Sequence, residues 1–159
     1  MASGRRPDLL HDLAGLNPFR RFFPPRLWQR EEMRHSPRPA THDDLRAVQE
    51  IVGAAYSRYE ARIGRKPGPM LDDYRALIDQ GRVHVVECSG MVQGIVVLIP
   101  QHDAMLLDNV AVAPAAQGSG LGRAMLEFAE HAARAAGYRS IRLYTNEAMT
   151  ENIALYSRI

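Results

Sequence analysis

The stretch Asp108-Asn109-Val110-Ala111-Val112-Ala113-Pro114, followed two residues later by Gln117-Gly118-Ser119-Gly120-Leu121-Gly122, decides how this chain reads. Its first half is apolar enough for a buried strand, and Pro114 ends the strand because proline cannot donate to a ladder. Its second half opens a helix. Leu121, Met125, Phe128, Ala129 and Ala132 recur at helical spacing and make one apolar face. The glycines permit positive φ and let another molecule approach the backbone closely. The first N–H groups of a helix have no partner within it, and the helix dipole adds positive charge there. The junction is therefore a nest for an anion, and a pyrophosphate is its natural guest. No Lys-Ser or Lys-Thr follows Gly122, so this is not a P-loop. Two hairpin-connected strands precede the loop, so it is not the dinucleotide fingerprint of a βαβ unit either. Alone, such a turn is as readily structural as functional. Its place among the other elements sharpens it.

Upstream, Thr41-His42-Asp43-Asp44 predicts a helix start with Thr41 as the N-cap, and Leu45, Val48, Ile51, Val52 and Ala55 follow at helical spacing. Residues 61–69, with Gly64, Pro67, Gly68 and Pro69, read as a loop. A second helix over about 71–80 ends at Gly81. Strands follow at 83–88, 91–99 (with Gly94 inside) and 104–112, joined by Ser89-Gly90 and by Pro100-Gln101-His102-Asp103. Downstream, Gly137 caps the long helix, Ile141 to Thr145 is a strand, and a last helix starts near Thr150.

The chain has 159 residues, 46% hydrophobic and 24% charged, which predicts one globular domain and excludes wholesale disorder, collagen and coiled coil. No run of 18 apolar residues suggests a membrane span. One cysteine, Cys88, excludes an internal disulfide framework and a multi-cysteine zinc site, and fits a cytoplasmic protein. The net charge of +2 is uneven. Residues 1–39 carry eight Arg against four acids and six of the ten prolines. Residues 40–159 carry twelve basic against fourteen acidic residues. The domain proper is thus expected over 38–159, and 1–37 as a basic, disordered or loosely docked extension. Its aromatic–arginine run, Phe19 to Trp28, suits nucleic acid or an anionic surface, but the negative body argues against a nucleic-acid binder.

At this point the sequence resembles the GNAT superfamily of acetyl-CoA-dependent N-acetyltransferases, over about residues 38–159. Gln117, Gly120 and Gly122 fill the fixed places of its Gln/Arg-x-x-Gly-x-Gly/Ala loop, and Glu151-Asn152-Ile153-Ala154-Leu155-Tyr156 looks like its closing helix. The resemblance implies an α/β (α+β) fold, with a mixed, mostly antiparallel central sheet flanked by helices. It implies transfer of acetyl from acetyl-CoA to a primary amine, with no metal and no membrane. Loop amides from Gln117 through Gly118, Ser119, Gly120, Leu121 and Gly122 would hold the pyrophosphate. The strand Val110-Ala111-Val112 would pair with the pantetheine arm, through the main chain of Val110 and Val112. Tyr156 would protonate the departing thiolate. A phenol with pKa near 10 can do that at neutral pH.

Two departures from the family stand out. Met149 occupies the place, seven residues before the tyrosine, where many members have Asn. Asn152, one turn later, either caps the helix or reaches the cofactor. The chain also stops at Ile159, so the family's last two strands are expected to be missing. That leaves an exposed edge beside 141–145, poor turnover and association, as a homodimer or otherwise, through the C-terminal side. A truncated module that binds CoA without turnover is the alternative function. For the general base, Asp108 leads, with Glu147, His84 and His102 behind it; each is also readable as a solvated side chain. Arg62, Arg65 and Lys66 lie in a loop that borders the acceptor site in the family, and they suit either an acidic acceptor or plain solvation.

Overall fold

The computed structural model describes residues 10–12 and 36–144. Five body strands are β2 (Arg38–Pro39), β3 (Val83–Cys88), β4 (Met91–Pro100), β5 (Met105–Val112) and β6 (Ile141–Tyr144). A sixth, β1 (Leu10–Asp12), comes from the N-terminal extension, and the sheet order is β1-β6-β5-β4-β3-β2. Every pairing is antiparallel except β5 with β6. This is the mixed, mostly antiparallel sheet that the sequence implied.

Helices α1 (Leu45–Ile63) and α2 (Tyr74–Asp79) cover one face, and α3 (Leu121–Ala135) covers the other. The period-2 alternation of β3 to β5 explains this. Val83, Val85, Ile95, Val97 and Ala111 pack with Val48, Ile51, Val52 and Tyr56 of α1. Val86, Val96, Leu98, Leu107 and Val110 pack with Leu121, Met125, Leu126 and Ala129 of α3.

The elements match the sequence reading with local corrections. Thr41 does not cap α1 directly. It precedes a 3-10 turn, His42–Asp44, in which the Thr41 N–H donates to Asp44 Oδ2 at 2.8 Å. Residues 61–63 belong to α1, which runs one turn further than its apolar period and ends where Gly64 turns left-handed at φ 74°. Helix α2 starts at Tyr74 and not at 71, because Asp73 is its cap and accepts from the Ala76 N–H at 3.1 Å. The edge of β6, expected to be exposed, is instead paired with Leu10–Asp12 (Leu10 opposite Tyr144, Asp12 opposite Arg142). The closing helix with Asn152 and Tyr156, and Glu147 before it, lie outside the described residues.

One ion cluster fastens the start of the body. The Arg38 guanidinium grips Asp44 with two hydrogen bonds (Nη1 to Oδ2 2.8 Å, Nη2 to Oδ1 2.9 Å) and also bonds Glu87 of β3. Arg38 and the Thr41 N–H together outweigh the burial of Asp44, which by itself raises a carboxylate's pKa, and push it from 3.8 down to about 2. A carboxylate whose folded pKa lies below its unfolded one stabilises the fold above the unfolded value. That stabilisation fades as pH falls from about 3.8 towards about 2. Arg38 is part-exposed and solvent screens the pair, so the contribution is about 1–2 kcal/mol. Urea unfolding of Asp44→Asn should therefore show lower stability at pH 6 and a shallower loss between pH 4 and 2 than the parent. Superposed pH profiles would refute this account of Asp44.

Candidate functional site

The parallel pair β5–β6 is short. Met105, Leu106 and Leu107 lie opposite Ile141, Arg142 and Leu143, while β5 runs on to Val112. The described register of the pair ends at Leu107 opposite Leu143. A bulge marks the same point: Val97 faces Asn109 while Leu98 faces Leu107, so Asp108 is the extra residue. Beyond it, hydrogen bonding alternates. The Ala113 N–H donates to Gln93 O at 2.8 Å, and in an antiparallel ladder every second residue repeats that pairing. Ala111 and Asn109 therefore bond back to β4, and the N–H and C=O groups of Val110 and Val112 turn away from it, toward the β6 side. They form a row of strand-like donors and acceptors along that edge of β5, the candidate slot for an extended ligand.

Of the three strand residues, then, Val110 and Val112 direct their main chains to the slot. Ala111 bonds Ile95 and buries its methyl in the α1 core. Asp108 sits half-buried at the bulge, where the slot opens. His84 and His102 do not come near it. His84 is on β3, against Phe128 of α3 with ring centroids 4.9 Å apart, and burial holds its pKa below 6.5. His102 is in the β4–β5 turn, at the far end of β5 from Val112.

The slot leads to the glycine-rich loop. After the 3-10 turn Pro114–Ala116, Gly118 and Gly120 adopt φ 79° and 86°, and Gly120 is the N-cap of α3. The first helical bond runs from Ala124 N to Gly120 O at 3.1 Å, so the amides of Leu121, Gly122 and Arg123 are the orphan donors of this helix. Ser119 Oγ donates to Ala116 O at 2.6 Å and fixes the turn from within. A Cβ built on Gly118 or Gly120 meets nothing within 4 Å. The glycines are needed for their backbone angles, and the space beside them is open to a ligand. The Leu121 side chain itself is buried in the α3 core.

Two residues with a structural claim on this site carry no motif. Gly94 of β4 faces Val112, and a Cβ there would come within 2.9 Å of Met125 Sδ and 3.2 Å of Leu121 Cδ2. Its missing side chain lets the first turns of α3, and hence the loop, sit down on the sheet. Asn109, beside the bulge, is a buried amide hydrogen-bonded to two tyrosines. A glycine inside a strand and an Asn in an apolar run are the sequence signals of the two. Among the described residues, no group of three His, Cys, Asp or Glu side chains converges as a metal site would require, and no helix is long and apolar enough to cross a membrane.

The sequence matches the model of the acetyltransferase (GNAT) domain over residues 79–159, just over half of the chain. No curated protein matches it. Among solved structures it is similar to a PaiA N-acetyltransferase from Thermoplasma acidophilum in complex with coenzyme A (TM-score 0.68, 14% identity, 78% of this chain and 87% of that one). It is also similar to the ribosomal-protein-S18-alanine N-acetyltransferase of Escherichia coli (TM-score 0.62, 23% identity, 78% and 75%). A third is a GNAT-family acetyltransferase from Listeria monocytogenes (TM-score 0.61, 19% identity, 78% and 84%). At these identities the likeness is one of fold.

The packing at Gly94 makes a prediction about the site's foundation. Gly94→Val adds three carbons against Met125 and Leu121, and overpacking of that kind costs about 1–3 kcal/mol. Thermal unfolding should show a lower Tm, with altered amide chemical shifts concentrated in 118–125. A variant as stable as the parent, with those shifts unmoved, would mean that the helix does not rest on this glycine.

Proposed function

The chain belongs to the GNAT acetyltransferase family, and on that premise we propose that it transfers acetyl from acetyl-CoA to a primary amine by direct attack. The observation that carries the reading is the continuity of the outward-facing groups of Val110 and Val112 with the amide nest at Gly118–Gly122. A molecule with an extended amide-bearing arm and a pyrophosphate fits both at once. The coenzyme supplies the activated acetyl group. The protein supplies binding and orientation: strand pairing along Val110 and Val112, and anion binding by the orphan amides and the helix dipole. Asp108, half-buried where the slot opens, is the proposed general base that takes the ammonium proton, directly or through water. Tyr156 is the proposed general acid on the thiolate, with Asn152 as a further contact to the coenzyme. Both assignments rest on the family resemblance of the closing segment.

Direct attack needs amine and thioester held together. Orientation of that kind is worth several kcal/mol of barrier, which pairing along a fixed strand can supply. Chemistry by Asp108 and Tyr156 then adds the usual ~10²–10⁴-fold for each proton transfer.

Two experiments test this reading. Calorimetry should show acetyl-CoA binding to the parent and at least tenfold weaker binding to Gly120→Glu. That variant forces a side chain onto a φ of 86° and sets a carboxylate where phosphate would lie. Equal affinity would remove the loop from the site. Thiol release with a panel of amines (a diamine, free amino acids, and peptides with a free N-terminus or a lysine) should detect transfer. Tyr156→Phe should then lower kcat about 10²-fold or more at unchanged acetyl-CoA affinity. An unchanged kcat would take Tyr156 out of the mechanism. Binding without transfer to any amine would favour the CoA-binding module.

A further inference from the structure

A buried chain of hydrogen bonds crosses from the loop after α1 to the central strand at the slot. Tyr74 Oη lies 2.7 Å from the Pro69 carbonyl and 2.9 Å from Asn109 Nδ2, and Tyr56 Oη lies 2.7 Å from Asn109 Oδ1. All three side chains are buried, with Asn109 only 2% exposed. The polarity of the chain is fixed from one end. The Pro69 carbonyl only accepts, so the Tyr74 hydroxyl donates to it. The Tyr74 oxygen therefore accepts from Asn109 Nδ2, which orients the amide and leaves Oδ1 to accept from Tyr56. A flipped amide would set two acceptors face to face. The far end of the chain is at the slot: Tyr56 Oη is also 3.4 Å from the Val110 carbonyl, an outward-facing group.

We propose that Tyr74 is a positioning residue that acts through Asn109 to couple the 64–73 loop to the coenzyme slot. Acetyl-CoA bound along Val110 thereby stiffens the loop. The inference rests on the functional reading above and deepens it. The mechanical path is short. The N–H of Val110 belongs to the same planar peptide unit as the carbonyl of Asn109, so a ligand that pairs with Val110 restrains the residue whose side chain holds Tyr74. Tyr74 in turn holds Pro69, in the middle of the loop. Such burial also makes the chain costly to break, since a buried polar group left without its partner pays its full desolvation.

Hydrogen exchange by mass spectrometry on the full chain, with and without saturating acetyl-CoA, tests the coupling. In the parent, acetyl-CoA should slow exchange of the 64–73 amides on the order of tenfold, the equivalent of one buried hydrogen bond to be broken for opening. Tyr74→Phe keeps the ring and removes the link. Asn109→Leu removes it from the other side. Loop opening is a minor state, so both variants should bind acetyl-CoA with a calorimetric Kd within about twofold of the parent's. The ligand-dependent slowing at 64–73 should vanish in both while that at 118–123 persists. A merely structural role for Tyr74 would leave the slowing intact. Variants that bind and still protect the loop overturn the proposal, as does a parent that binds acetyl-CoA with no change at 64–73. A parent that fails to bind acetyl-CoA sinks the functional reading first, and this one with it.

Discussion

Everything distinctive in this fold depends on the outer edge of β5. β5 and β6 share three register positions among the described residues, Met105 to Leu107 against Ile141 to Leu143, while β5 runs on to Val112. Main-chain donors and acceptors directed away from β4 need partners of their own, at a cost of the order of a kcal/mol or more for each group kept from water and left unpaired. The bulge at Asp108 contributes by stepping the alternation of β5 by one residue, so that Val110 and Val112 direct their groups to that edge.

Helix α3 holds β5 and β6 in one sheet. Its apolar face packs on Met105, Leu107 and Val110 of β5 and on Ile141 and Leu143 of β6. The same helix presents its first turn, with the orphan amides, beyond the end of β5. One element thus backs the row of β5 groups and ends it with positive potential. Gly94 sets how closely that element approaches the sheet. On the other face, α1 and α2 fix β5 through Tyr56 and Tyr74, which meet at Asn109. Both faces of β5 are thereby held.

The sequence made the elements legible because most follow from local rules. The 3.6-residue period found α1 and α3, the alternation and Ser89-Gly90 found the β3–β4 hairpin, and Gly118 and Gly120 stand where positive φ was expected. The misses lie where a tertiary contact displaced a local preference. The start of α1 moved to Leu45 because the Asp44 carboxylate binds Arg38 as well as the Thr41 N–H. The expected span of the second helix includes Leu71, yet Leu71 is exposed, because the cap at Asp73 starts the helix later. The pairing of Leu10–Asp12 with β6 joins residues more than a hundred positions apart, and nothing in a three-residue stretch signals such a partner. The candidate site divides the same way. The glycine loop could be read from its residues, whereas Asn109 looked like one more strand position. Its role depends on Tyr56 and Tyr74, and no spacing rule links the three.

The slot and the nest are also a measuring device. The outward groups of Val110 and Val112 recur every second residue, at about 3.3 Å per residue, so they space a ligand's donors and acceptors about 6.6 Å apart. Only Ala113, the turn Pro114–Ala116 and Gln117 separate that row from Gly118. A ligand that uses both must therefore be linear, carry peptide-like groups at strand spacing, and end in an anion within one short turn of them. A compact anion would occupy the nest and leave the strand groups unpaired. A neutral extended molecule would pair with the strand and leave the amides of Leu121 to Arg123 without an acceptor. Neither satisfies the whole row. The requirement for both ends together suits the proposed nucleotide-linked pantetheine arm better than free phosphate or a peptide strand, and on that proposal the arm's reactive end would lie toward Asp108.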